Sequence, residues 1–335
     1  MKIVFFGSPP AALPSLGALL RAGHSVMLVV TQPAKPAGRG RRLAPSAVKA
    51  FACERDLPVI EPARIRTDEA ARDRIVAAGA DVNVVVAYGQ IIPRSIHYFP
   101  RRHSLNVHFS LLPKYRGAAP VQWTVLNGDP ESGVTIMELD DRMDEGDILA
   151  QERVAVEPRE TAAALEERLA MLGARLLVES LERIDGLPHV KQDDARATLA
   201  PKIRKEDGKI AWTETAAAID RQVLALADRP GVFTLVRGRR VNILRGRALG
   251  PIERYWPVML HNPFGDRGRG TDSLLRAKTA EPGAIVWIDK PGLEVACGGG
   301  SAYLIEELRP EGRGPMSAHA FSLGTTLALS DRLGE

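Results

Sequence analysis

The sequence predicts an α/β protein with a mostly parallel sheet in its first part and a small β-barrel in its second. Short apolar runs alternate with stretches of helical periodicity up to about residue 185, a pattern typical of crossovers between parallel strands. Residues 81–87 are almost continuously apolar, as expected for a strand covered on both faces. Beyond residue 205, several short strand-like runs are separated by glycine and proline, which is typical of a small barrel.

The first part contains an ordered series of strand and helix signals. The first strand is predicted to end at Gly7 and the first helix before Gly23, while Thr161 is placed to cap a long amphipathic helix. The predicted strands are Lys2–Phe6, Ser25–Thr31, Asp81–Ala87, Ser104–His108, Gly133–Leu139 and Ile148–Val156, and the predicted helices are Ala11–Ala22 and Thr161–Ile184.

The composition changes after a polar stretch that is typical of a linker. We predict an N-terminal domain over residues 1–185, a linker over 186–205 and a C-terminal domain over 206–335. Residues 253–278 show little periodicity, which predicts an extended loop. The C-terminal domain is predicted to contain one helix, Ala216–Ala227, and the strands Phe233–Arg237, Arg240–Leu244, Gly283–Asp289, Gly292–Ala296 and Ala302–Glu307.

Charge and cysteine content limit the class of protein. The chain has 335 residues, a formal net charge of +4 and two cysteines far apart in sequence. A disulfide framework and a zinc site are not expected from so few cysteines. The N-terminal sequence predicts a strand rather than a signal peptide. No apolar run reaches the ~18 residues of a membrane helix. We therefore expect a cytoplasmic protein that is a monomer and has no membrane partner.

Asn106 and His108 are the first candidates for chemistry. They lie two residues apart at the end of an apolar run, so on a strand both side chains point to the same face. In open α/β sheets, ligands bind at the carboxyl ends of the strands. Asp144, in a glycine-containing turn, could fold back onto the imidazole. An amide, an imidazole and a carboxylate that converge can stabilise an oxyanion and move a proton.

Without further context, Asn106, His108 and Asp144 could also have purely structural roles. A lone histidine is more often a structural group than a catalyst, and asparagine and aspartate are common in turns. Three further acids lie close to Asp144 in the sequence, and spacing alone does not separate it from them. They are Asp140, Asp141 and Asp147.

A second open choice concerns a basic stretch without acids, residues 33–49. Its cations include Lys35, Arg39, Arg41 and Arg42. A run of charge is usually a solvated face. This one follows a predicted strand end, and its glycines and prolines predict a loop. Such a loop could also bind the phosphates of a nucleic acid.

Several motifs together resemble the 10-formyltetrahydrofolate-dependent formyltransferases. Each motif is weak alone, but their order and spacing along nearly the whole chain make a strong signal. They are Phe6-Gly7-Ser8-Pro9, Thr31-Gln32-Pro33, Val84-Val-Val-Ala-Tyr-Gly89, Asn106-Val-His108, Ser110-Leu-Leu-Pro113, Lys114-Tyr-Arg-Gly-Ala-Ala-Pro120, Asp144, Ala200-Pro-Lys-Ile203 and Gly314-Pro-Met-Ser317.

The resemblance implies a Rossmann-like first domain, an OB-like second domain, and roles for particular residues. Asn106, His108 and Asp144 would be catalytic, with Asp144 chosen because it matches the family position. The co-substrate would be 10-formyltetrahydrofolate, and no metal is implied. The residues expected at the folate site are Ala87, Gly89, Gln90, Ile91, Ser110, Leu111, Leu112 and Pro113.

The resemblance also implies an acceptor. Within the family, the chain is most similar to members that formylate the α-amino group of methionine on initiator tRNA. The basic stretch would then bind the acceptor stem through Lys35, Arg39, Arg41 and Arg42, and the C-terminal domain would bind tRNA as well. Two alternatives are a sugar-nucleotide N-formyltransferase and an inactive nucleic-acid-binding paralogue. Phe109, where many relatives have a smaller residue, could narrow the formyl site or pack away from it.

Overall fold

The protein folds into two compact units. The computed structural model describes residues 1–37, 42–249, 275–329 and 331–334. The first unit comprises Met1–Thr124, Asp129–Pro158 and Ala163–Lys202. The second consists mainly of the chain from Ile203 onward.

Alternating strands and helices build the part of the chain up to residue 202. Ser46 and Asp68 begin two of the helices because their side chains accept hydrogen bonds from the backbone amides of Lys49 and Ala71. The helices are α1 (Leu13–Arg21), α2 (Ala47–Cys53), α3 (Glu69–Ala77), α4 (Arg94–His97), α5 (Pro120–Asn127) and α6 (Ala162–Glu182). The strands are β1 (Lys2–Gly7), β2 (Ser25–Val30), β3 (Lys35–Ala37), β4 (Arg42–Ala44), β5 (Val59–Ile60), β6 (Val82–Val86), β7 (Ser104–His108), β8 (Arg116–Gly117), β9 (Glu131–Glu138), β10 (Ile148–Ala155) and β11 (Leu199–Ala200).

Seven of these described strands form one sheet, in the order β10-β9-β7-β6-β1-β2-β5. The pairs from β7 to β5 are parallel, whereas β9 is antiparallel to both β7 and β10. Every residue of β6 and of β7 is buried, as expected for strands covered on both faces. The predicted mostly parallel α/β sheet is confirmed, and β7 lies between a parallel and an antiparallel neighbour.

The second unit is an antiparallel sheet with helices. Arg237 and Gly238 form a two-residue turn with positive φ values of 48° and 72°, the backbone that a tight hairpin needs. The described strands run in the order β12-β13-β16-β15-β14, and β17 pairs with β16. They are β12 (Val232–Val236), β13 (Arg239–Ala248), β14 (Ile285–Asp289), β15 (Gly292–Cys297), β16 (Ser301–Pro310) and β17 (Met316–Ser317). This separate antiparallel-sheet unit confirms the predicted fold class.

The prediction of a single helix in the second part was wrong. The structure contains α7 (Ala216–Leu226) and also α8 (Ala318–Thr325), which begins at Ser317, whose hydroxyl accepts from the amide of Ala320. A helix of eight residues is too short to show a clear apolar period. The predicted loop over residues 253–278 lies mostly outside the described residues.

Candidate active site

Strand β7 places Asn106 and His108 on one face of the sheet. Asn106 is opposite Val85 of β6, and His108 is opposite Thr135 of β9. The two residues are 9% and 6% exposed. The two polar groups are therefore held inside a hydrophobic strand pair and retain only a small opening to solvent. A low-dielectric position of this kind strengthens their electrostatic interaction with a bound group.

The Asp144 carboxylate meets both side chains. Its Oδ1 lies 3.5 Å from Asn106 Nδ2 and 3.9 Å from His108 Nδ1. Its Oδ2 accepts a hydrogen bond of 2.9 Å from the backbone amide of Gly117. Three groups that are distant from Asp144 in the sequence thus meet its carboxylate: the Asn106 amide, the His108 imidazole and the Gly117 backbone amide. The structure brings together the amide, imidazole and carboxylate that the sequence singled out.

The hydrogen bond at the far side of the imidazole assigns the roles of its two nitrogens. His108 Nε2 lies 2.9 Å from the carbonyl oxygen of Tyr115. A carbonyl can only accept, so Nε2 carries the hydrogen. His108 Nδ1 then faces Asp144 and the open side of the site. It is an acceptor in the neutral ring and a donor in the imidazolium.

Two of the other acids near Asp144, Asp140 and Asp141, have side-chain partners outside the trio. Asp140 accepts from the backbone amide of Arg142 at 2.9 Å. Asp141 pairs with Arg94 at 2.7 Å and faces His97 at 3.6 Å. Asp147 contributes its carbonyl oxygen to the amide of Glu138. Geometry separates Asp144 from Asp140 and Asp141, where sequence spacing could not.

Residues 110–113 form a braced loop directly after β7. The hydroxyl of Thr135 donates to the carbonyl of Ser110 at 2.6 Å and accepts from the amide of Leu112 at 3.1 Å. The Gln151 side chain donates to the carbonyl of Leu112 at 2.7 Å. Ser110 and Leu112 are buried, whereas Leu111 and Pro113 are partly exposed. Much of the loop's backbone is thus used to brace the loop itself.

Residues 87–91 follow β6 at the same edge of the sheet. Ala87 and Gly89 have positive φ values of 48° and 77° and are exposed, as is Ile91. The Gln90 side chain is held to the backbone of a neighbouring loop: it accepts from the Ile65 amide and donates to a carbonyl. This exposed backbone lies beside Asn106, His108 and Asp144, which we call the trio. It offers more free hydrogen-bonding groups to a flat heterocycle than the braced loop does.

Tyr88 and Gln32 hold residues 87–91 in place. Burial raises the pKa of the Tyr88 phenol. Gln32 Nε2 donates to the Tyr88 carbonyl at 2.6 Å. A Cβ on Gly89 would lie 2.5 Å from that same nitrogen and would displace the Gln32 side chain, and the positive φ of 77° also favours glycine there.

The basic stretch is a hairpin rather than only a loop. Strands β3 and β4 pair antiparallel, and the exposed Lys35 donates from Nζ to Gln32 Oε1. Arg39 and Arg41 lie outside the described residues, and Arg42 is described only for its backbone, in β4. The prediction of an irregular loop missed this pairing because each strand has only three residues.

Several residues that brace the site were missed from the sequence. Arg116 is buried, and its guanidinium donates to Gln192 at 2.9 Å and to Asp194 at 2.7 Å. Gln192 also donates to two backbone carbonyls in the Asp144 turn. No local signal marks this glutamine, since it sits in a polar stretch typical of a linker.

Phe109 packs away from the trio. It is 7% exposed, and a ring carbon lies 3.5 Å from the position that a Cβ on Gly173 of α6 would take. Strand alternation sends its side chain to the face opposite His108. Of the two alternatives for this residue, the second holds.

The described residues contain neither a metal-binding cluster nor a membrane-spanning helix. Over residues 1–37, 42–249, 275–329 and 331–334, no group of three or more His, Cys, Asp or Glu side chains is arranged to hold a metal ion. In the same ranges, each helix is too short or too polar to cross a membrane.

Two family models match the chain. The model described as Formyl transferase covers residues 1–181, and that described as Formyl transferase, C-terminal domain, covers residues 202–325. Together they include both units of the fold and the whole of the trio. The class of protein is thereby defined as an enzyme that transfers a formyl group.

Full-length relatives narrow this class. A methionyl-tRNA formyltransferase of Thiobacillus denitrificans is 40% identical over 334 residues, which cover all of both chains. One from Geobacter sulfurreducens is 38% identical over 337 residues, covering 100% of this chain and 97% of the relative. The chain belongs to the formyl transferase family, among the methionyl-tRNA formyltransferases.

Solved structures share the fold at low identity. An N-formyltransferase from Helicobacter canadensis, in complex with folinic acid and dTDP-3-aminofucose, has a TM-score of 0.60 and 17% identity, covering 91% of this chain and 98% of that one. HypX from Aquifex aeolicus, in complex with tetrahydrofolic acid, has a TM-score of 0.57 and 14% identity, covering 96% and 47%. These similarities concern the fold.

Proposed function

We propose that this chain transfers the formyl group of 10-formyltetrahydrofolate to the α-amino group of methionine on initiator tRNA. The amine nitrogen attacks the formyl carbon and a tetrahedral oxyanion forms. The bond to N10 of the folate then breaks, with its electron pair going to N10. The amine loses one proton and N10 gains one, which leaves tetrahydrofolate and N-formylmethionyl-tRNA.

The convergence of Asn106, His108 and Asp144 carries this proposal. The Asn106 amide donates to the developing oxyanion, the role of an oxyanion-hole side chain. His108 Nδ1 donates to the oxyanion as the imidazolium, or accepts the amine proton as the neutral ring. The Asp144 carboxylate lies 3.9 Å from that nitrogen and so faces the atom that exchanges the proton. A free α-amino group has a pKa of about 7.7–8.0, so no strong base is required.

We propose that the folate ring binds along residues 87–91, with residues 110–113 as a wall. The exposed backbone at Ala87 and Gly89 offers hydrogen-bonding groups beside the trio. The braced loop from Ser110 to Pro113 supplies shape rather than donors, because Thr135 and Gln151 already occupy much of its backbone. A folate bound in this way would present its formyl group at the end of β7.

The β3–β4 hairpin is proposed to bind the tRNA acceptor stem. Lys35 is exposed at its base, and Arg39, Arg41 and Arg42 are proposed to add further cations for phosphate contact. A cytoplasmic location and a monomeric state stay predictions. The two free cysteines, Cys53 and Cys297, suit a reducing compartment.

The His108→Ala variant tests the catalytic assignment. We expect kcat for formyl transfer to fall by at least about 100-fold, the usual contribution of a positioned proton-transfer group. The variant should still fold, with the loss of one buried hydrogen bond to Tyr115 costing about 1–3 kcal/mol. Steady-state kinetics and urea unfolding measure the two effects. Near-normal turnover in a folded variant would exclude the proposed role.

A further inference from the structure

A strap of chain, residues 190–200, runs along the back of the active site in the first unit. At its start, Val190 and Ile148 exchange backbone hydrogen bonds of 2.8 and 3.0 Å. At its end, Leu199 and Ala200 pair in parallel with Arg116 and Gly117. The strap therefore belongs to the scaffold of the site, although its sequence is typical of a linker.

The strap holds the backbone of the Asp144 turn through one side chain. Gln192 Nε2 donates to the carbonyl oxygens of Asp144 and Gly146, both at 2.8 Å. Gln192 Oε1 accepts from Arg116 Nε at 2.9 Å. Both ends of the Gln192 amide are thus used, and its orientation is fixed by a buried guanidinium.

The Asp144 turn needs such a restraint. Asp144 has a φ of 56°, a left-handed conformation that is uncommon outside glycine, although aspartate tolerates it better than most residues. At Gly146, an added Cβ would lie 1.8 Å from the carbonyl oxygen of Glu138, so the turn is also tightly packed. The two carbonyls that Gln192 binds lie on either side of Glu145. Without these bonds, the carboxylate of Asp144 could leave His108 and Asn106.

The same strap holds the partner of His108. The Tyr115 amide donates to Thr198 Oγ1 at 2.9 Å, and the Tyr115 carbonyl is the acceptor for His108 Nε2. Tyr115 has a φ of 66°, which is again an uncommon backbone conformation for a side chain of this kind. The strap thus braces both the carboxylate and the imidazole.

We propose that Gln192 is a positioning residue for formyl transfer, acting through Asp144. This proposal rests on the proposed function of the trio. Gln192 binds the carbonyls of Asp144 and Gly146 directly, and we therefore place its effect in the orientation of the Asp144 carboxylate. Displacing a reacting group by about 1 Å can cost about 100-fold in rate.

The test compares Gln192→Met with a matched control, Gln222→Leu. Gln222 in the second unit donates from Nε2 to two backbone carbonyls, those of Asp207 and Lys209, at 2.7 and 3.2 Å. We expect Gln192→Met to lower kcat by about 10- to 100-fold while KM for folate and for tRNA changes less than about threefold. The control should retain the kcat of the unchanged protein.

A double-mutant cycle with Asp144→Asn separates positioning from a general structural effect. If Gln192 acts through Asp144, Gln192→Met should lower kcat little further once Asp144 is replaced, because the two effects share one group. Multiplicative effects in the double variant would overturn the proposal, as would a kcat of Gln192→Met equal to that of the control. If the protein without substitutions shows no formyl transfer at all, the proposed function is wrong, and this outcome is distinct from a failure of the proposal for Gln192.

Gln192→Glu keeps the measurement available if the methionine variant does not fold. Its carboxylate has the length of the native side chain and still accepts from Arg116, but when ionised it has no hydrogen to donate to the two carbonyls. We expect the same loss of kcat. Full activity of a folded Gln192→Glu variant would contradict the proposal.

Discussion

At the scale of residues, the site brings the amide of Asn106 and the imidazole of His108 to one carboxylate oxygen, Oδ1 of Asp144. Asn106 Nδ2 reaches Asp144 Oδ1 only at 3.5 Å, which is long for a hydrogen bond. Its amide hydrogens are therefore incompletely used by this contact. A donor of this kind, held by a buried strand, is available to an oxyanion without reorganisation.

Replacement of Asn106 by alanine should act on rate rather than on stability. We expect kcat to fall by about 100- to 1000-fold, the cost of losing one oxyanion donor, with a small change in the free energy of unfolding. Stopped formylation assays and urea unfolding measure the two quantities.

Asn83 provides the matched control on the neighbouring strand. It is fully buried, and its Nδ2 donates at 3.0 Å to both the Ile96 carbonyl and the Ser104 hydroxyl. Asn83→Ala should lower the free energy of unfolding by about 1–3 kcal/mol, because buried partners lose their donor, while the folded fraction keeps its kcat. Equal loss of kcat in both variants would mean that Asn106 is structural.

At the scale of elements, the site depends on a close approach between helix α6 and strand β7. A Cβ on Gly173 would lie 2.7 Å from a methyl of Val107 and 3.3 Å from one of Val134. Glycine therefore lets the helix pack directly on the strand that carries Asn106 and His108. Phe109 fills the space beside this contact.

Gly173→Ala should destabilise the protein despite the better helix propensity of alanine. The gain from propensity is about 0.5–1 kcal/mol, whereas overpacking a close-packed core costs about 1–3 kcal/mol. We expect a net loss, measured by urea unfolding. Val107→Ala, added to the same chain, should recover part of it, and a double variant less stable than either single variant would contradict the packing argument.

The same elements show what the sequence can and cannot predict. β7 was predicted with the bounds that the structure shows because apolar and polar residues alternate over Ser104–His108, the period of a strand. The short strands β3, β4 and β5, of two or three residues each, were missed. Helix α3 was also missed, because only two of its nine residues, Ala71 and Ile75, are buried. Their signals are local and weak, and they form because tertiary contacts select them.

The candidate site divides in the same way. Asn106 and His108 are two residues apart on one strand, so strand periodicity alone places them together. Asp144 came from a family resemblance, and geometry now separates it from Asp140 and Asp141. Gln192 is 48 residues from its partner Asp144. A hydrogen bond over that separation leaves no periodic trace in the sequence.

At the scale of the whole molecule, a formal charge of +4 and the basic hairpin favour a polyanionic partner. The effect of salt on tRNA binding measures this directly. We expect KM for tRNA to rise steeply with KCl while KM for folate changes little, because counterion release depends on phosphate contacts. Lys35→Gln should reduce the slope of log KM against log salt by about 1.

Lys49 is the control cation for this slope. Its Nζ pairs with Glu61 at 2.5 Å, so it is already neutralised within the chain. Lys49→Gln should leave the salt dependence of KM for tRNA as it is in the unchanged protein. If Lys35→Gln leaves this slope unchanged, Lys35 does not contact the phosphates of tRNA and the proposed role of this residue is wrong.

The identity of the acceptor is the central claim of the proposed function. It can be measured by mixing the purified protein and 10-formyltetrahydrofolate with Met-charged initiator tRNA, Met-charged elongator tRNA or an amino-sugar nucleotide in parallel. We expect rapid formylation of the initiator and little of the other two. Formylation of the sugar amine alone would keep the chemistry of the trio but contradict the proposed acceptor, and no transfer to any amine would contradict the assignment of the site.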